Sequence, residues 1–120
     1  MAKQVALIED ETAIRENYSD ALVKHGYEVL SYSNRDSALK AFKQQLPDLA
    51  IIDIGLGDDV EGGFELCREL RGMSSSVPIM FLSARDSDLD TISGLRLGAD
   101  DYLTKDISIA QVLARVTALF

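Results

Sequence analysis

The feature that most constrains this chain is a short apolar run that ends in a single carboxylate. Residues 49–52, Leu-Ala-Ile-Ile, run directly into Asp53, and a glycine-rich stretch follows. A continuous apolar run of this length is typical of a strand buried on both faces, as central strands of parallel sheets are. Asp53 then lies at the carboxyl end of the strand, where open α/β sheets form a ligand crevice. A carboxylate there needs solvent, a cation or a chemical role.

Similar apolar runs alternate with amphipathic segments along the whole chain. Residues 5–8 and 77–82 predict further buried strands, residues 101–104 predict a short strand, and the alternating residues 27–33 predict a strand near a sheet edge. Apolar residues three and four apart predict a helix after each strand. The order is therefore (βα)₅, with connections so short that the crossovers must be parallel. It predicts an α/β fold with a doubly wound, parallel five-stranded sheet, flavodoxin-like, in the strand order 2-1-3-4-5.

Local signals place the ends of several helices. Gly26 ends the first helix and Pro47 stops the second. Capping boxes, with a hydroxyl residue followed by an acid or amide three residues later, predict helix starts at residues 33–36 and 108–111. The fourth helix is the weakest of the set because Gly94 lies inside it and costs about 1 kcal/mol relative to alanine.

Composition limits the function classes. A chain of 120 residues with a net charge of −8 is a single domain whose surface repels phosphate backbones, so direct binding of nucleic acid by this domain is not expected. The single cysteine excludes an internal disulfide and fits a reducing compartment. No apolar run is long enough to span a membrane, and no signal-peptide pattern opens the chain. We therefore expect a cytoplasmic domain with no membrane contact.

Polar residues follow four of the predicted strands and should meet at one rim of the sheet. They are Glu9, Asp10, Asp53, Ser83 and Lys105. Three carboxylates in one crevice repel each other unless a hard cation or raised pKa values relieve them, and oxygen-only ligands suit Mg²⁺. The lysine supplies a positive charge and the serine a hydroxyl donor, so the crevice offers what a phosphoryl group requires. Asp53 is the natural nucleophile, because carboxylates accept phosphoryl groups covalently.

Each of these residues alone has an ordinary structural explanation. An aspartate after a strand is most often a turn former or a helix cap, and a serine or lysine there is most often a polar strand terminus. The functional interpretation depends on their joint placement at four strand ends.

With these residues in place, the chain resembles a known family over its whole length. Residues 5–10 (Val-Ala-Leu-Ile-Glu-Asp), 51–53 (Ile-Ile-Asp), 81–84 (Phe-Leu-Ser-Ala) and 98–105 (Gly-Ala-Asp-Asp-Tyr-Leu-Thr-Lys) resemble the receiver domain of bacterial two-component response regulators. Residues 112–119 resemble the last receiver helix of regulators with a winged-helix DNA-binding half. The resemblance implies that residues 1–120 are a receiver domain, the N-terminal part of a longer regulator whose output domain lies outside this chain.

The resemblance also implies residue roles. Asp53 would accept phosphate from the phosphohistidine of a histidine kinase, and Ser83 and Lys105 would bind the phosphoryl oxygens. Mg²⁺ would be held by Glu9, Asp10, Asp53 and the carbonyl of Gly55. Tyr102 would turn inward as Ser83 closes on the phosphoryl group. Such a domain is a signalling switch rather than an enzyme, since it catalyses only its own phosphorylation and dephosphorylation.

The chain departs from the family pattern at two places. Gly57 stands where a proline is usual, and Gly62-Gly63 lie one and two residues later than the usual glycine, as though two residues were inserted. The loop should therefore be longer, looser and more acidic. Asp106 replaces a proline that is usually cis after Lys105. Because a non-proline cis bond costs about 2.5–4 kcal/mol, we predict a trans bond and a shifted Lys105, with Asp106 competing for its ammonium group.

A dimer face is a further implication of the resemblance. In the winged-helix relatives the fourth helix, fifth strand and fifth helix pair through charges, and Asp100 or Asp101 with Arg115 would supply one such pair. Other positions that are usually charged are altered: Thr91, Arg96, Gln111 and Thr117. Exposed ion pairs are individually weak, so we expect a mostly monomeric domain with a dimer favoured by phosphorylation.

Three other functions were weighed against the phosphorylated switch. An aspartyl-phosphate phosphatase needs its nucleophile on the first strand and a second aspartate two residues on, which Glu9-Asp10-Glu11 does not provide. A flavin or nucleotide carrier would need a glycine-rich phosphate loop before the first helix. The remaining rival is a degenerate receiver that binds partners without phosphorylation, supported by Asp106 and by the altered loop.

Overall fold

In the computed structural model, residues 2–120 form five strands and five helices in strict alternation. The strands are β1 (Gln4–Ile8), β2 (Glu28–Tyr32), β3 (Leu49–Ile52), β4 (Ile79–Ser83) and β5 (Asp101–Thr104). The helices are α1 (Thr12–Lys24), α2 (Arg35–Gln44), α3 (Gly62–Met73), α4 (Asp88–Arg96) and α5 (Ile109–Leu119). The sheet is parallel in the order β2-β1-β3-β4-β5, which confirms the predicted fold.

The register of the sheet brings the predicted site residues to one rim. Ile8 of β1 pairs with Ile52 of β3, so the residues that follow both strands are neighbours. The amide of Asp53 donates to the carbonyl of Ile8 at 3.0 Å and continues this pairing. At the other side of the site, the amide of Lys105 donates to the carbonyl of Ser83, also at 3.0 Å.

Apolar side chains cover both faces of the central strands, which explains why residues 5–8 of β1 and all of β3 are apolar. One cluster includes Phe42 of α2, Leu66 and Leu70 of α3, and Phe81 of β4. The other lies between the sheet and helices α1 and α5, where Leu22, Val112 and Val116 are buried. The strand ends are thus held rigidly between two layers of helices.

The helix caps agree with the sequence in one case and differ in the other. Ser108 caps α5, and its side chain accepts the amide of Gln111 at 3.2 Å as predicted. For α2 the cap is Asn34 and not Ser33, and the Asn34 side chain accepts the amide of Ser37 at 2.8 Å. The predicted capping box at 33–36 is therefore wrong by one residue, because an asparagine oxygen serves equally well as a cap.

Gly94 has a packing role that its helix propensity hides. It is the buried residue of α4, and an added Cβ would lie 3.0 Å from Cδ2 of Phe81 and 3.1 Å from Cδ2 of Tyr102. The missing side chain lets α4 approach the aromatic rings closely. The residue that lowers the helix propensity of α4 is thus the same residue that lets α4 pack against the sheet.

Candidate functional site

The structure brings the five predicted polar residues together at the carboxyl ends of four strands. Glu9 and Asp10 follow β1, Asp53 follows β3, Ser83 ends β4 and Lys105 follows β5. The three carboxylates each present an oxygen within 4.8 Å of the others. Each ligand atom comes from a rigid strand end, as precise polar sites require.

Lys105 links two of the three carboxylates. Its Nζ donates to Oδ2 of Asp53 at 2.9 Å and also to Oε1 of Glu9. Burial lowers the pKa of Lys105, but the hydrogen bonds to Glu9 and Asp53 outweigh it, so the net shift of the pKa is upward. Lys105 is therefore a fixed positive charge inside the site.

Glu9 is the most deeply buried of the charged residues, with 2% of its surface exposed. Burial raises its pKa to about 7, against the opposing hydrogen bonds from Lys105 and from the Glu11 amide. The nearby charge of Asp53 also raises it, and both carboxylates share the one ammonium group of Lys105. A hard cation among these oxygens would supply the missing charge, so the donor set fits Mg²⁺.

The other two carboxylates are oriented by backbone amides of the loop after β3. Oδ1 of Asp53 accepts the amide of Ile54 at 2.8 Å, and Oδ2 of Asp10 accepts the amide of Gly57 at 3.1 Å. The carbonyl oxygen of Gly55 accepts no hydrogen bond from residues 2–120. It therefore has the free lone pairs that a ligand oxygen needs.

Ser83 and Tyr102 both hydrogen-bond to the backbone of Arg85. Ser83 is buried, and its Oγ accepts the Arg85 amide at 3.2 Å. The hydroxyl of Tyr102 donates to the Arg85 carbonyl at 2.7 Å, and burial raises the pKa of Tyr102 to about 12. The two residues expected to move together are thus joined through one intervening residue.

Arg85 itself was missed by sequence reasoning. Its guanidinium pairs with Asp90 of α4 at 2.5 Å and with Glu61 at 3.3 Å, and it lies over the ring of Phe64 at 5.5 Å. The Arg85 partner holds the pKa of Asp90 below its ordinary value. The sequence feature that could have indicated its role is a basic residue two positions after Ser83, which ends β4.

The loop between β3 and α3 covers residues 53–61, and part of it is closed by backbone hydrogen bonds rather than loose. Leu56 and Asp59 exchange backbone hydrogen bonds of 3.0 and 3.1 Å, and we call this segment the 56–59 turn. Leu56 is 4% exposed, and the Asp59 carboxylate pairs with Arg35 of α2 at 3.0 Å. Arg35 also reaches Glu69 of α3 at 3.0 Å. The expectation of a loose loop is therefore wrong for this turn, although Gly57 and Asp58 within it are exposed to solvent.

Gly63 must be a glycine because the backbone at the start of α3 lies very close to the backbone of Asp53. An added Cβ at Gly63 would lie 1.9 Å from the carbonyl oxygen of Asp53, whereas one at Gly62 would meet the more adaptable Asp59 side chain at 2.8 Å. The Gly63 amide donates to the Ile54 carbonyl at 2.7 Å. The start of α3 is thus pressed directly against the backbone beneath Asp53.

Asp106 and Lys105 are paired with different groups. No cis peptide bond occurs in residues 2–120, which confirms the trans Lys105–Asp106 bond. The Asp106 carboxylate accepts a hydrogen bond from the hydroxyl of Thr104, while Lys105 contacts Glu9 and Asp53 instead. Competition between Asp106 and a phosphoryl group for Lys105 stays a prediction.

The residues assigned to a dimer face make contacts within the chain. Arg115 of α5 pairs with Asp101 at 3.3 Å. Asp100 is engaged elsewhere, because its Oδ2 accepts from Arg71 at 3.0 Å and from the amide of Ile79 at 2.9 Å. Of the two acids, Asp101 is the one that Arg115 reaches.

None of the helices within residues 2–120 is long and apolar enough to cross a membrane.

Comparison with known proteins identifies the family. Residues 5–117 match the family model of the response regulator receiver domain. The transcriptional regulatory protein CreB of Escherichia coli is 39% identical over 115 residues, and the alkaline phosphatase synthesis transcriptional regulatory protein PhoP of Bacillus subtilis is 38% identical over 119 residues. These alignments cover 96% and 99% of this chain but 49% of each relative, so the chain spans about half their length.

A solved structure agrees with this assignment. The BeF3-activated N-terminal receiver domain of RstA from Klebsiella pneumoniae is 34% identical, superposes with a TM-score of 0.87, and matches over 96% of both chains. The strand order, the carboxylates at the strand ends and the family match over residues 5–117 all lead to the same family. The chain therefore belongs to the response regulator receiver domain family.

Proposed function

We propose that this domain accepts a phosphoryl group on Asp53 in a reaction that depends on Mg²⁺, and that it relays this event to an output domain. The observation that carries the proposal is the position of the Asp53 carboxylate, which lies beside a fixed ammonium group and within 4.8 Å of two further carboxylates. A carboxylate in this setting is a nucleophile surrounded by the groups that stabilise a phosphoryl group.

Glu9, Asp10, Asp53 and the Gly55 carbonyl are the proposed metal ligands. All are oxygen donors, the ligand type that Mg²⁺ prefers, and the three carboxylates each present an oxygen within 4.8 Å of the others. Bound Mg²⁺ supplies charge that neutralises phosphoryl oxygens. The buried position of Glu9 keeps competing water away from that side of the crevice.

In the proposed reaction an oxygen of Asp53 forms the new bond to phosphorus while the bond between phosphorus and the donor nitrogen breaks. The electron pair of that bond leaves with the imidazole of a histidine kinase, which then takes up a proton. Lys105 shifts its hydrogen bond from Asp53 to a phosphoryl oxygen, and the Ser83 hydroxyl donates to another. Aspartyl phosphate on Asp53 is the product.

Ser83 and Tyr102 are the proposed switch residues. To donate to a phosphoryl oxygen, Ser83 must turn toward Asp53, away from the Arg85 amide that it now accepts. Since Tyr102 is bound to the carbonyl of the same residue, its hydroxyl would be released when this segment moves. The change would reach the surface formed by α4, β5 and α5.

The partners follow from the relatives. CreB and PhoP are named transcriptional regulatory proteins, so we infer that residues 1–120 form the receiver part of a cytoplasmic regulator with a DNA-binding, winged-helix output domain. A histidine kinase is the proposed donor. The degenerate-receiver alternative is not favoured, because Lys105 contacts Asp53 while Asp106 pairs with Thr104.

Intact-mass measurement tests the proposal directly. After incubation with Mg²⁺ and a small acyl phosphate, the wild-type protein should gain the mass of one phosphoryl group. Asp53→Asn should gain none, whereas Asp58→Asn, which changes an exposed acid of the neighbouring loop, should be modified like the wild type. An unmodified wild type, or a modified Asp53→Asn variant, contradicts the assignment.

The proposed dimer is tested by sedimentation. A mostly monomeric domain should shift toward a dimer when a phosphoryl mimic occupies Asp53, through the face that carries Asp101 and Arg115. Arg115→Ala should weaken that shift. A tight dimer without the mimic, on a different face, would contradict this part of the proposal.

A further inference from the structure

The 56–59 turn contains a hydrogen-bond donor that the usual residue at this position lacks. Proline is usual four residues after the phosphoacceptor in such receivers, and this chain has Gly57 there. Proline has no backbone N–H and fixes φ near −65°. Gly57 has a φ of +65°, and its amide donates to Oδ2 of Asp10 at 3.1 Å.

This amide is the one group that holds the Asp10 carboxylate. Within residues 2–120, no side chain and no other amide donates to either of its oxygens. Lys105 contacts Glu9 and Asp53 instead. Without Gly57, rotation of the Asp10 carboxylate would be limited only by packing.

We propose that the 56–59 turn is a positioning element for the metal ligand Asp10, acting through the Gly57 amide. The proposal rests on the assignment of Asp10 as a ligand in the proposed function. A hydrogen bond to Oδ2 fixes the plane of the carboxylate and leaves Oδ1 to face a cation. Groups that orient metal ligands in this way change metal affinity by 10- to 100-fold when they are removed.

The turn is built to hold that amide in place. Its ends are joined by the two backbone hydrogen bonds between Leu56 and Asp59, and Leu56 is buried. Asp59 is in turn fixed to Arg35, which also contacts α3. The position of the Gly57 amide therefore depends on α2 and α3 as well as on the loop itself.

Calorimetric titration with Mg²⁺ tests the inference. Gly57→Pro removes the donor and also forces the backbone away from its φ of +65°, and we expect it to bind Mg²⁺ about tenfold more weakly than the wild type. Because both changes occur together, the amide-exchange test below decides whether the hydrogen bond itself is responsible. Gly57→Asn is the matched control, because asparagine keeps the N–H, tolerates a positive φ, and has open space for its Cβ. We expect its affinity to stay within about twofold of the wild type. Melting temperatures without metal separate this effect from loss of the fold.

Two outcomes distinguish failure of the inference from failure of the function. If Asp10→Asn loses Mg²⁺ affinity and Gly57→Pro does not, the positioning role is overturned while the metal site stands. If Asp10→Asn binds Mg²⁺ like the wild type, the metal site and the inference both fail.

Amide exchange measured by NMR gives a test that does not depend on the Gly57→Pro variant folding. The Gly57 amide should be protected in the wild type and should exchange several-fold faster in Asp10→Ala. The Leu56 amide, which donates to the Asp59 carbonyl, is the internal reference and should stay protected. Equal exchange of the Gly57 amide in both proteins would overturn the proposal.

Discussion

Helices α3 and α4 are consecutive and border the same hydrophobic cluster, yet they are held in opposite ways. In α3, six of twelve residues are buried, among them Leu66, Cys67 and Leu70. In α4, all of which is described, the buried residue is Gly94. Leu89, Ile92 and Leu95 of α4 are 74%, 46% and 44% exposed.

The contrast shows how one layer of a fold combines a fixed element with a movable one. Apolar burial holds α3, whereas α4 is held at its first turn by the ion pair between Asp90 and Arg85. Elements with few buried contacts open at low free energy. We therefore expect the helix of the proposed output surface to open more easily than the helix that packs beneath Asp53.

The largest expected effect comes from removing apolar burial in α3. Leu70 is fully buried, so Leu70→Ala should lower the free energy of unfolding by about 2–5 kcal/mol. The matched change in α4, Leu89→Ala, should cost no more than about 0.5 kcal/mol because the side chain is exposed. Urea denaturation measures both. Similar costs for the two variants would break the contrast.

A pair of glycines sharpens the comparison. Gly94→Ala in α4 should destabilise the protein by about 1–3 kcal/mol, since the new methyl group would press on Phe81 and Tyr102. Gly72→Ala in α3 meets nothing within 4 Å and should stabilise by about 0.5–1 kcal/mol. Thermal unfolding shows whether each substitution stabilises or destabilises the protein. If both stabilise, the close contact of α4 with the rings does not constrain it.

The buried thiol of α3 predicts a dependence on alkaline pH. Burial raises the pKa of Cys67 from 9.0 to about 11, so the unfolded chain loses the proton first. Stability is therefore full below pH 9 and falls as the pH rises toward 11, by about 1.4 kcal/mol at pH 10. The stability of Cys67→Ala, followed over the same range, should lack this contribution. An identical slope in both proteins would contradict the burial argument.

The smallest expected effect concerns the polar attachment of α4. Arg85→Met keeps the aliphatic stem but removes both ion pairs, and because the guanidinium is partly exposed the cost should be about 1 kcal/mol or less. Amide exchange within α4 should become faster while that of α3 is unchanged. Arg68→Met, which removes an exposed pair within α3, is the control and should alter neither helix. Unchanged exchange in α4 would mean that the ion pair does not hold it.

The (βα)₅ order and the acidic rim were predictable because they depend on local patterns. A buried strand such as residues 49–52 shows as an unbroken apolar run, and parallel topology then forces the residue after each strand to the same rim. The strand order 2-1-3-4-5 places Asp10 beside Asp53, and parallel topology places Lys105 at the same rim. The predicted cap of α2 was wrong by one residue because Ser33 and Asn34 are adjacent and both residue types cap helices well.

The parts that could not be predicted depend on contacts between distant residues. Arg85 reaches Glu61, which lies 24 residues earlier, and that contact exists only because the loop after β3 turns toward it. The closure of the 56–59 turn likewise depends on Arg35 of a different helix. Because residues 55–63 depart from the family pattern, the family resemblance could not predict the conformation of this loop.

The close contact of Gly63 with the Asp53 carbonyl has a consequence for how this loop can be varied. Because an added Cβ at Gly63 would lie 1.9 Å from the Asp53 carbonyl oxygen, a side chain there would push the start of α3 away from the end of β3. A redesigned loop therefore has to keep Gly63, and it has to keep Gly55 and Gly57 because the proposed metal site uses their carbonyl and amide groups. Gly63 thus holds the start of α3 against the strand end that carries Asp53.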